Sequence, residues 1–254
     1  MTPSEQKELV RTFYRELIGA RDIELAERLI AENYIQHNPL LKTGRVGVLE
    51  AIAYLKQFPT PPPGPSPIQR IFAEADLVVV HLLVAFGPSK QVVMDIFRTE
   101  NGQLVEHWDA IQVVPATIDH PEHLVNGPTE VRSSELTSVN KKLIQSCYQA
   151  VWIERNLGSM EEWVHPDLTQ HQAGIPHGRE ALAEHLAAND SPKDLQMHRV
   201  IAEGNFVLVQ ASGISQQVPT VLYDLFRLEA GLIVEQWQVH QAIPEHMAHE
   251  NGMI

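Results

Sequence analysis

Apolar positions recur at helical spacing up to about residue 58, and alternation takes over from residue 68. The same order returns after residue 137. Leu9, Val10, Phe13, Tyr14, Leu17 and Ile18 fall at i, i+3, i+4 intervals, which predicts an amphipathic helix with Ser4 as its cap. Asp22 caps a short second helix through Leu25, Leu29 and Ile30. Gly44–Phe58 forms a third, with Val48, Ile52 and Leu55 inward. Strand-like runs follow at Ile68–Ala73, Leu77–Phe86, Gln91–Thr99 and Gln103–Val114. The later half predicts helices at Ser138–Glu154, Met160–Val164 and Arg179–Ala188. Its strands are Leu195–Ala202, Phe206–Ser212, Pro219–Leu228 and Leu232–Ile243. Helices first and strands afterwards, twice, predict two α+β domains, each with three helices on a curved antiparallel sheet.

The recurrence is literal as well as periodic. Asp95–Pro115 reads DIFRTENGQLVEHWDAIQVVP and Asp224–Pro244 reads DLFRLEAGLIVEQWQVHQAIP, with ten of 21 positions identical. Upstream, Gln36-His37 in YIQHNP matches Gln170-His171 in LTQHQA. The offset is 134 upstream and 129 downstream, and the first copy carries the proline-rich PTPPPGPSP (Pro59–Pro67) in between. Such a period exceeds those of solenoids and propellers, so the chain reads as a duplicated domain. The expected boundaries are 1–118 for the first domain and 137–254 for the second, with the polar residues 119–136 as linker.

Composition narrows the partners. With 19 basic against 32 acidic residues, a net charge of −13 argues against nucleic acid or an anionic membrane as partner. No apolar run reaches the roughly 20 residues of a membrane span. MTPSEQKEL has no secretory character, and Cys147 as the sole cysteine fits a reducing cytoplasm. A cytoplasmic location is therefore expected.

The hairpin turn decides which side chains share a face. Glu100-Asn101-Gly102 fits a two-residue Asn-Gly turn, but its counterpart Glu229-Ala230-Gly231 places alanine where positive φ is needed. A three-residue loop common to both copies is therefore expected, pairing Thr99 with Gln103, Asp95 with His107 and Val93 with Asp109. Val93, Asp95, Phe97, Val105, His107, Asp109 and Ile111 then share one face, and Met94, Ile96, Glu106 and Trp108 the other. A two-residue turn would move Asp95 to the tryptophan face.

Under that register two carboxylates and an imidazole meet among apolar neighbours, where burial and mutual charge push proton affinities toward neutrality. An aspartate so placed can remove a proton next to a carbonyl while a neighbour donates to the enolate oxygen. Asp109, Asp95, His107 and His37 are the candidate catalytic residues, with His37 either at the pocket mouth or simply hydrogen-bonding loop backbone. Val93, Phe97, Ile111 and Tyr34 are the candidate substrate contacts. A cross-strand pair that merely satisfies itself is the competing account of Asp95 and His107. No metal is expected, since no Cys cluster or zinc helix motif occurs. The pairs His120-x-x-His123 and His246-x-x-His249 read as solvated tails. Trp108 and Trp237 read as core between the copies, which would make the chain an internal pseudo-dimer and a monomer. Arg98 with Glu106, and Arg227 with Glu235, read as ion pairs on that same face.

YIQHNP followed by a helix, then DIFRTENGQLVEHWDAIQ, resembles the SnoaL-like polyketide cyclase family within the nuclear transport factor 2-like (cystatin-like) superfamily. The resemblance covers both copies. It implies cone-shaped α+β domains around an apolar cavity and acid–base chemistry in an aldol ring closure, without cofactor. The family's catalytic aspartate resembles Asp109, with Asp95 as its companion. In the second copy Asp224 is kept, but His107 becomes Gln236, Asp109 becomes Gln238 and Ile111 becomes His240. Glutamine cannot exchange a proton at neutral pH. The second cavity, with Asp224, His171, Gln236, Gln238 and His240, is expected to be degenerate. A small apolar or aromatic metabolite is the expected partner. A non-catalytic binding protein and a structural pseudo-dimer are the competing functions.

Overall fold

The computed structural model describes residues 1–60, 64–86, 89–188 and 191–254. The proline-rich PTPPPGPSP lies partly outside the described residues. In the first repeat, helix α1 (Pro3–Thr12) runs on as a π-helical segment, Phe13–Gly19. Then come α2 (Ala26–Leu29), β1 (Ile30–Gln36), α3 (Gly44–Leu55), β2 (Ile68–Glu74), β3 (Leu77–Phe86), β4 (Ser89–Glu100) and β5 (Gln103–Val113). The second repeat runs α4 (Thr137–Cys147), a π-helical Tyr148–Ile153, β6 (Val164–Gln170), α5 (Arg179–Ala187), β7 (Lys193–Glu203), β8 (Phe206–Ser215), β9 (Val218–Glu229) and β10 (Leu232–Ala242). Each repeat is an α+β unit with one five-stranded sheet, ordered β1-β5-β4-β3-β2 and β6-β10-β9-β8-β7.

Four expectations need correction. The sheets are mixed, because β1 pairs in parallel with β5 and β6 with β10. These two strands were hidden from the pattern by irregular pairing. Ile30 partners Leu104 but Ile35 partners Glu106, so burial along β1 does not alternate. The segment from Met160 is accordingly a 3-10 turn, Leu157–Glu162, and Val164 already belongs to a strand. The first helix is capped by Thr2 rather than Ser4. The Thr2 hydroxyl accepts from the Glu5 amide, and the Glu5 carboxylate accepts from the Thr2 amide at 2.7 Å, a capping box.

The hairpin is the fourth. Glu229 pairs directly with Leu232, so the turn has two residues, Ala230 (φ 48°) and Gly231 (φ 79°). Asn101 (φ 50°) and Gly102 (φ 81°) repeat the type I′ geometry in the first copy. A bulge between Ile233 and Glu235 then inserts one residue and restores the parity, so that Gln238 faces Asp224 and Gln236 faces Phe226. Asp224, Gln236 and Gln238 thus share a face as expected, through a tight turn plus a bulge instead of a wider turn.

Core packing follows the amphipathic pattern. In the second repeat Ile144, Cys147, Val151 and Trp152 of the helical segment pack with Leu182, Val207, Val209, Leu222 and Phe226. Burial raises the Cys147 thiol to about 12, so it acts as a small hydrophobe. In the first repeat Phe13 meets Phe97 edge-on at 5.4 Å. Gly47 of α3 has no room for a side chain, since a Cβ there would lie 1.8 Å from the Lys42 carbonyl oxygen. That contact seats the loop between β1 and α3 on the helix.

The chain divides into two compact units that cross the repeats: Met1–Val80 with Asp95–Asp109 and Pro244–Ile254, and His81–Met94 with Ala110–Ile243. The segment after β10 therefore belongs with the first unit. His249 in it is buried, against the expectation of a solvated tail, because its ring hydrogen-bonds the Asn38 carbonyl. His120, His123 and His246 are exposed. Among the described residues no helix is long and apolar enough to cross a membrane.

Candidate active site

The loop at the end of β1 builds itself from side chains. Gln36 pairs with His107 across the parallel strands. Its side-chain oxygen accepts the His37 and Asn38 amides, both at 2.9 Å, and Asn38 Oδ1 accepts the Leu40 amide at 2.9 Å. The same Gln36 oxygen lies 2.9 Å from His107 Nδ1. An oxygen already taking two amides can only accept, so His107 carries a proton on Nδ1.

His107 Nε2 then faces Asp95 Oδ1 at 3.0 Å, and one proton is shared between them. Tyr14, from the π-helical segment, donates to Asp95 Oδ2. The extra residue of a π turn aims this hydroxyl at the sheet, as such turns often do at functional sites. Burial of His107 opposes its charge, but the hydrogen bond to Asp95 and the charges of Asp109 and Asp95 prevail and raise its pKa. The tyrosine's own pKa is pushed well up by burial and by Asp95.

Asp109 is the unusual member. Asn38 Nδ2 donates to its Oδ2 at 2.6 Å, whereas its Oδ1 is buried without a hydrogen-bond partner. Burial raises its pKa to about 6, opposed by the His107 charge, reinforced by Asp95 and opposed by the Asn38 hydrogen bond. Its neighbours can shuttle a proton, and one lone-pair face is unspent. That is the position of a general acid or base working near neutrality.

The structure brings Asp95, His107 and Asp109 together, all buried. One candidate ligand atom from each lies within 4.8 Å of the others, a spacing that a bridging cation would also fit. It would have to displace the Asp95–His107 hydrogen bond, since both imidazole nitrogens are engaged. Tyr34 is buried near the cluster, its pKa raised by burial and by the charges of Asp95, Asp109 and Glu106. Phe97 stacks on the His107 ring at 4.5 Å. Val93 and Ile111 fall in the other compact unit.

His37 does not join the cluster. It stacks on Trp108 at 4.8 Å, with Nε2 3.0 Å from Glu106 and Nδ1 2.9 Å from the Gly252 carbonyl. Alternation along β5 turns Glu106 and Trp108 to the opposite face from His107 and Asp109, and His37 goes with them. Arg98 donates to Glu106 at 2.8 Å, the expected ion pair. Tyr14, Gln36 and Asn38 were not foreseen as site residues. The repeat offered a signal for two of them, because Tyr14 and Tyr148 share the offset of 134 with Gln36 and Gln170.

The second repeat keeps the frame, with Gln236 and Gln238 in place of His107 and Asp109. Tyr148 donates to Asp224 Oδ2 at 2.8 Å; Gln236 and Gln238 donate to Oδ1 at 3.1 and 2.7 Å. Gln170 in turn donates to Gln236 Oε1 at 3.0 Å. Burial raises Asp224 to about 6, against the hydrogen bonds from Gln238, Tyr148 and Gln236. His171 stacks on Trp237 at 4.7 Å and bonds Glu235 at 2.9 Å, the counterpart of His37. Burial lowers the pKa of His240. A hollow of about 10 Å³ beside Trp152, Arg155, Leu222, Gln236 and Gln238 has room for one water.

Residues 10–107 and 144–236 each match the model of the SnoaL-like domain. No curated protein matches the chain. Among solved structures it is similar to a putative polyketide cyclase from Bacillus cereus (15% identity, 40% of this chain and 74% of that one, TM-score 0.36). It is also similar to IdmH, a putative polyketide cyclase from Streptomyces antibioticus (19%, 42% and 91%, TM-score 0.34). A third is an epoxide hydrolase from M. tuberculosis (17%, 41% and 84%, TM-score 0.35). All three scores lie below 0.5, so the family assignment rests on the domain match.

Proposed function

Because this chain belongs to the SnoaL-like domain family through both of its repeats, we propose that the first repeat is a cofactor-independent acid–base enzyme. Its substrate is a small apolar carbonyl compound, and its reaction an aldol ring closure, an isomerisation or a dehydration. The observation that carries this reading is the buried Asp109 Oδ1 without a partner, beside the Tyr14–Asp95–His107 chain. Asp109 takes the proton from carbon next to the carbonyl, leaving an enolate. The enolate oxygen takes over the His107 Nε2 hydrogen bond from Asp95, which keeps Tyr14 as its donor, and returns it when the carbonyl re-forms. In a ring closure the enolate carbon bonds a second carbonyl carbon, and the new alkoxide recovers a proton from the Asp109 acid. Proton transfer by a placed group contributes typically ~10²–10⁴-fold in rate.

The second repeat is read as catalytically silent, its Asp224 saturated by groups that cannot titrate near neutrality. The acidic charge supports a metabolite rather than nucleic acid as partner.

The test is exchange of α-hydrogens into heavy water across a panel of diketones and cyclic ketones, followed by NMR. The wild type is expected to catalyse exchange that rises with pH through about 6, as Asp109 becomes the free base. Asp109→Asn is expected to abolish it. Exchange that survives Asp109→Asn would remove Asp109 from the chemistry.

A further inference from the structure

The segment Pro244–Ile254 follows the last strand of the second repeat yet belongs to the compact unit that holds the Asp95–His107–Asp109 cluster. Its contacts concentrate on four successive residues. Asn251 Nδ2 donates to the Gln36 carbonyl at 2.9 Å and also reaches Thr43 Oγ1 at 3.2 Å. His37 Nδ1 meets the Gly252 carbonyl at 2.9 Å. His249 Nε2 meets the Asn38 carbonyl at 2.9 Å, and the Ala248 amide donates to the Pro39 carbonyl at 2.8 Å. Met253 is buried alongside.

Gln36 and Asn38 are the residues whose side chains hold His107 Nδ1 and Asp109 Oδ2. We infer that this segment is a positioning strap for the proton-transfer cluster, with His249 and Asn251 as its positioning residues. The inference rests on the acid–base reading of that cluster. The strap fixes the backbone from which both orienting side chains project, and neither His249 nor Asn251 touches the cluster itself. His249 acts as a neutral donor. Its Nδ1 accepts the Asn251 amide at 3.2 Å, so its proton sits on Nε2, toward Asn38.

The duplicated frame supplies an internal comparison. His123 stands 129 residues before Gly252, and its carbonyl meets His171 Nδ1 at 2.8 Å, as Gly252 meets His37. His120, the counterpart of His249, is exposed. The tie to the histidine is common to both repeats, whereas a buried histidine on the loop carbonyl accompanies the repeat that keeps His107 and Asp109.

The experiment uses the full chain with His249→Ala and Asn251→Ala singly, His249→Gln as the conservative variant, and His246→Ala, exposed on the same segment, as control. The His107 ring is titrated by nitrogen NMR, and α-hydrogen exchange is measured in parallel. Loosening Gln36 weakens the acceptor at Nδ1, so the His107 midpoint should fall in both alanine variants. The kcat should fall roughly tenfold with KM unchanged, within the range that small misplacements produce. His249→Gln, which still offers an N–H to the Asn38 carbonyl, should recover much of both; His246→Ala should match the wild type. Asn251 is exposed, so its alanine variant folds even where His249→Ala does not. A wild-type His107 titration in folded Asn251→Ala and His249→Ala would overturn the strap. If wild-type protein exchanges no hydrogen on any substrate, the acid–base reading falls, while the titration still decides whether the strap positions His107.

Discussion

Asp109→Asn should change how stability depends on pH, by an amount that follows from the structure. In the fold burial raises this carboxyl from an ordinary 3.8 to about 6. The fold thus prefers the neutral acid. The associated stability is fully present below 3.8 and is lost as pH rises through about 6. Above both values the loss amounts to ~3 kcal/mol. At pH 5 about half of it has already been incurred, because the unfolded chain is ionised there; the remaining ~1.4 kcal/mol is lost between pH 5 and pH 8. Asparagine cannot ionise and escapes that change. Its amide nitrogen where Oδ1 had no partner shifts stability equally at both pH values, and so does not affect the comparison. Urea unfolding of wild type and variant at pH 5 and pH 8 gives the two stability gaps. The variant should gain on the wild type by ~1.4 kcal/mol from the lower to the higher pH. The His107 neighbour titrates with Asp109 as a pair, which broadens the change without reversing its sign. A gap independent of pH would mean that Asp109 is charged at no expense in the fold, and the argument for a poised base would fail with it.

Two further substitutions probe the frame. Tyr14→Phe and Tyr148→Phe each delete a hydroxyl that donates to a buried carboxylate, so each should destabilise its repeat by about 1.5–3 kcal/mol in urea unfolding. Only Tyr14→Phe should slow hydrogen exchange; equal effects on exchange would count against a silent second repeat. Ala230→Gly should raise the melting temperature by about 3 °C, since glycine relieves roughly 1 kcal/mol of left-handed strain at φ 48°. Asn101→Gly, at a residue that tolerates this conformation, should be near neutral, and no difference between the two would show the turn to be unstrained.

What could be read from the sequence was what is local or repeated. The antiparallel strands β2–β5 and β7–β10 stand out as runs rich in apolar and β-branched residues separated by short turns. The face shared by Asp95, His107 and Asp109 is legible as well, although alanine at position 230 argues against the tight turn. In the second repeat a bulge invisible in the pattern follows the tight turn and keeps Asp224, Gln236 and Gln238 on one face. The missing pieces are those set by distant chain. β1 and β6 are parallel strands whose partners lie some 70 residues away, and their irregular pairing erases alternation. Tyr14 sits inside a faultless helical pattern, and the carboxylate that gives its hydroxyl a role is 81 residues away. The side on which His37 lies depends on the exit direction of β1, which no local pattern encodes, and the burial of His249 depends on Asn38, 211 residues upstream.

The strongest separation of chemistry from electrostatics lies in the second aspartate. Asp224 is raised by burial to about 6, as Asp109 is. Asp224→Asn should therefore show the same gain of ~1.4 kcal/mol over the wild type between pH 5 and pH 8. The two sites differ in what surrounds the carboxylate. Asp224 receives Tyr148, Gln236 and Gln238, none of which can pass a proton near neutrality, whereas Asp109 keeps one oxygen free beside an imidazole. Burial is the largest cause of both shifts, and on the proposed reading it is the neighbours that decide which aspartate works as a base. Asp224→Asn should thus leave hydrogen exchange within about twofold of the wild type, a difference small beside the ~10²–10⁴-fold that a placed acid or base contributes. If instead Asp109→Asn and Asp224→Asn reduce exchange equally, the glutamines do not silence the second repeat, and the division of labour between the copies is wrong.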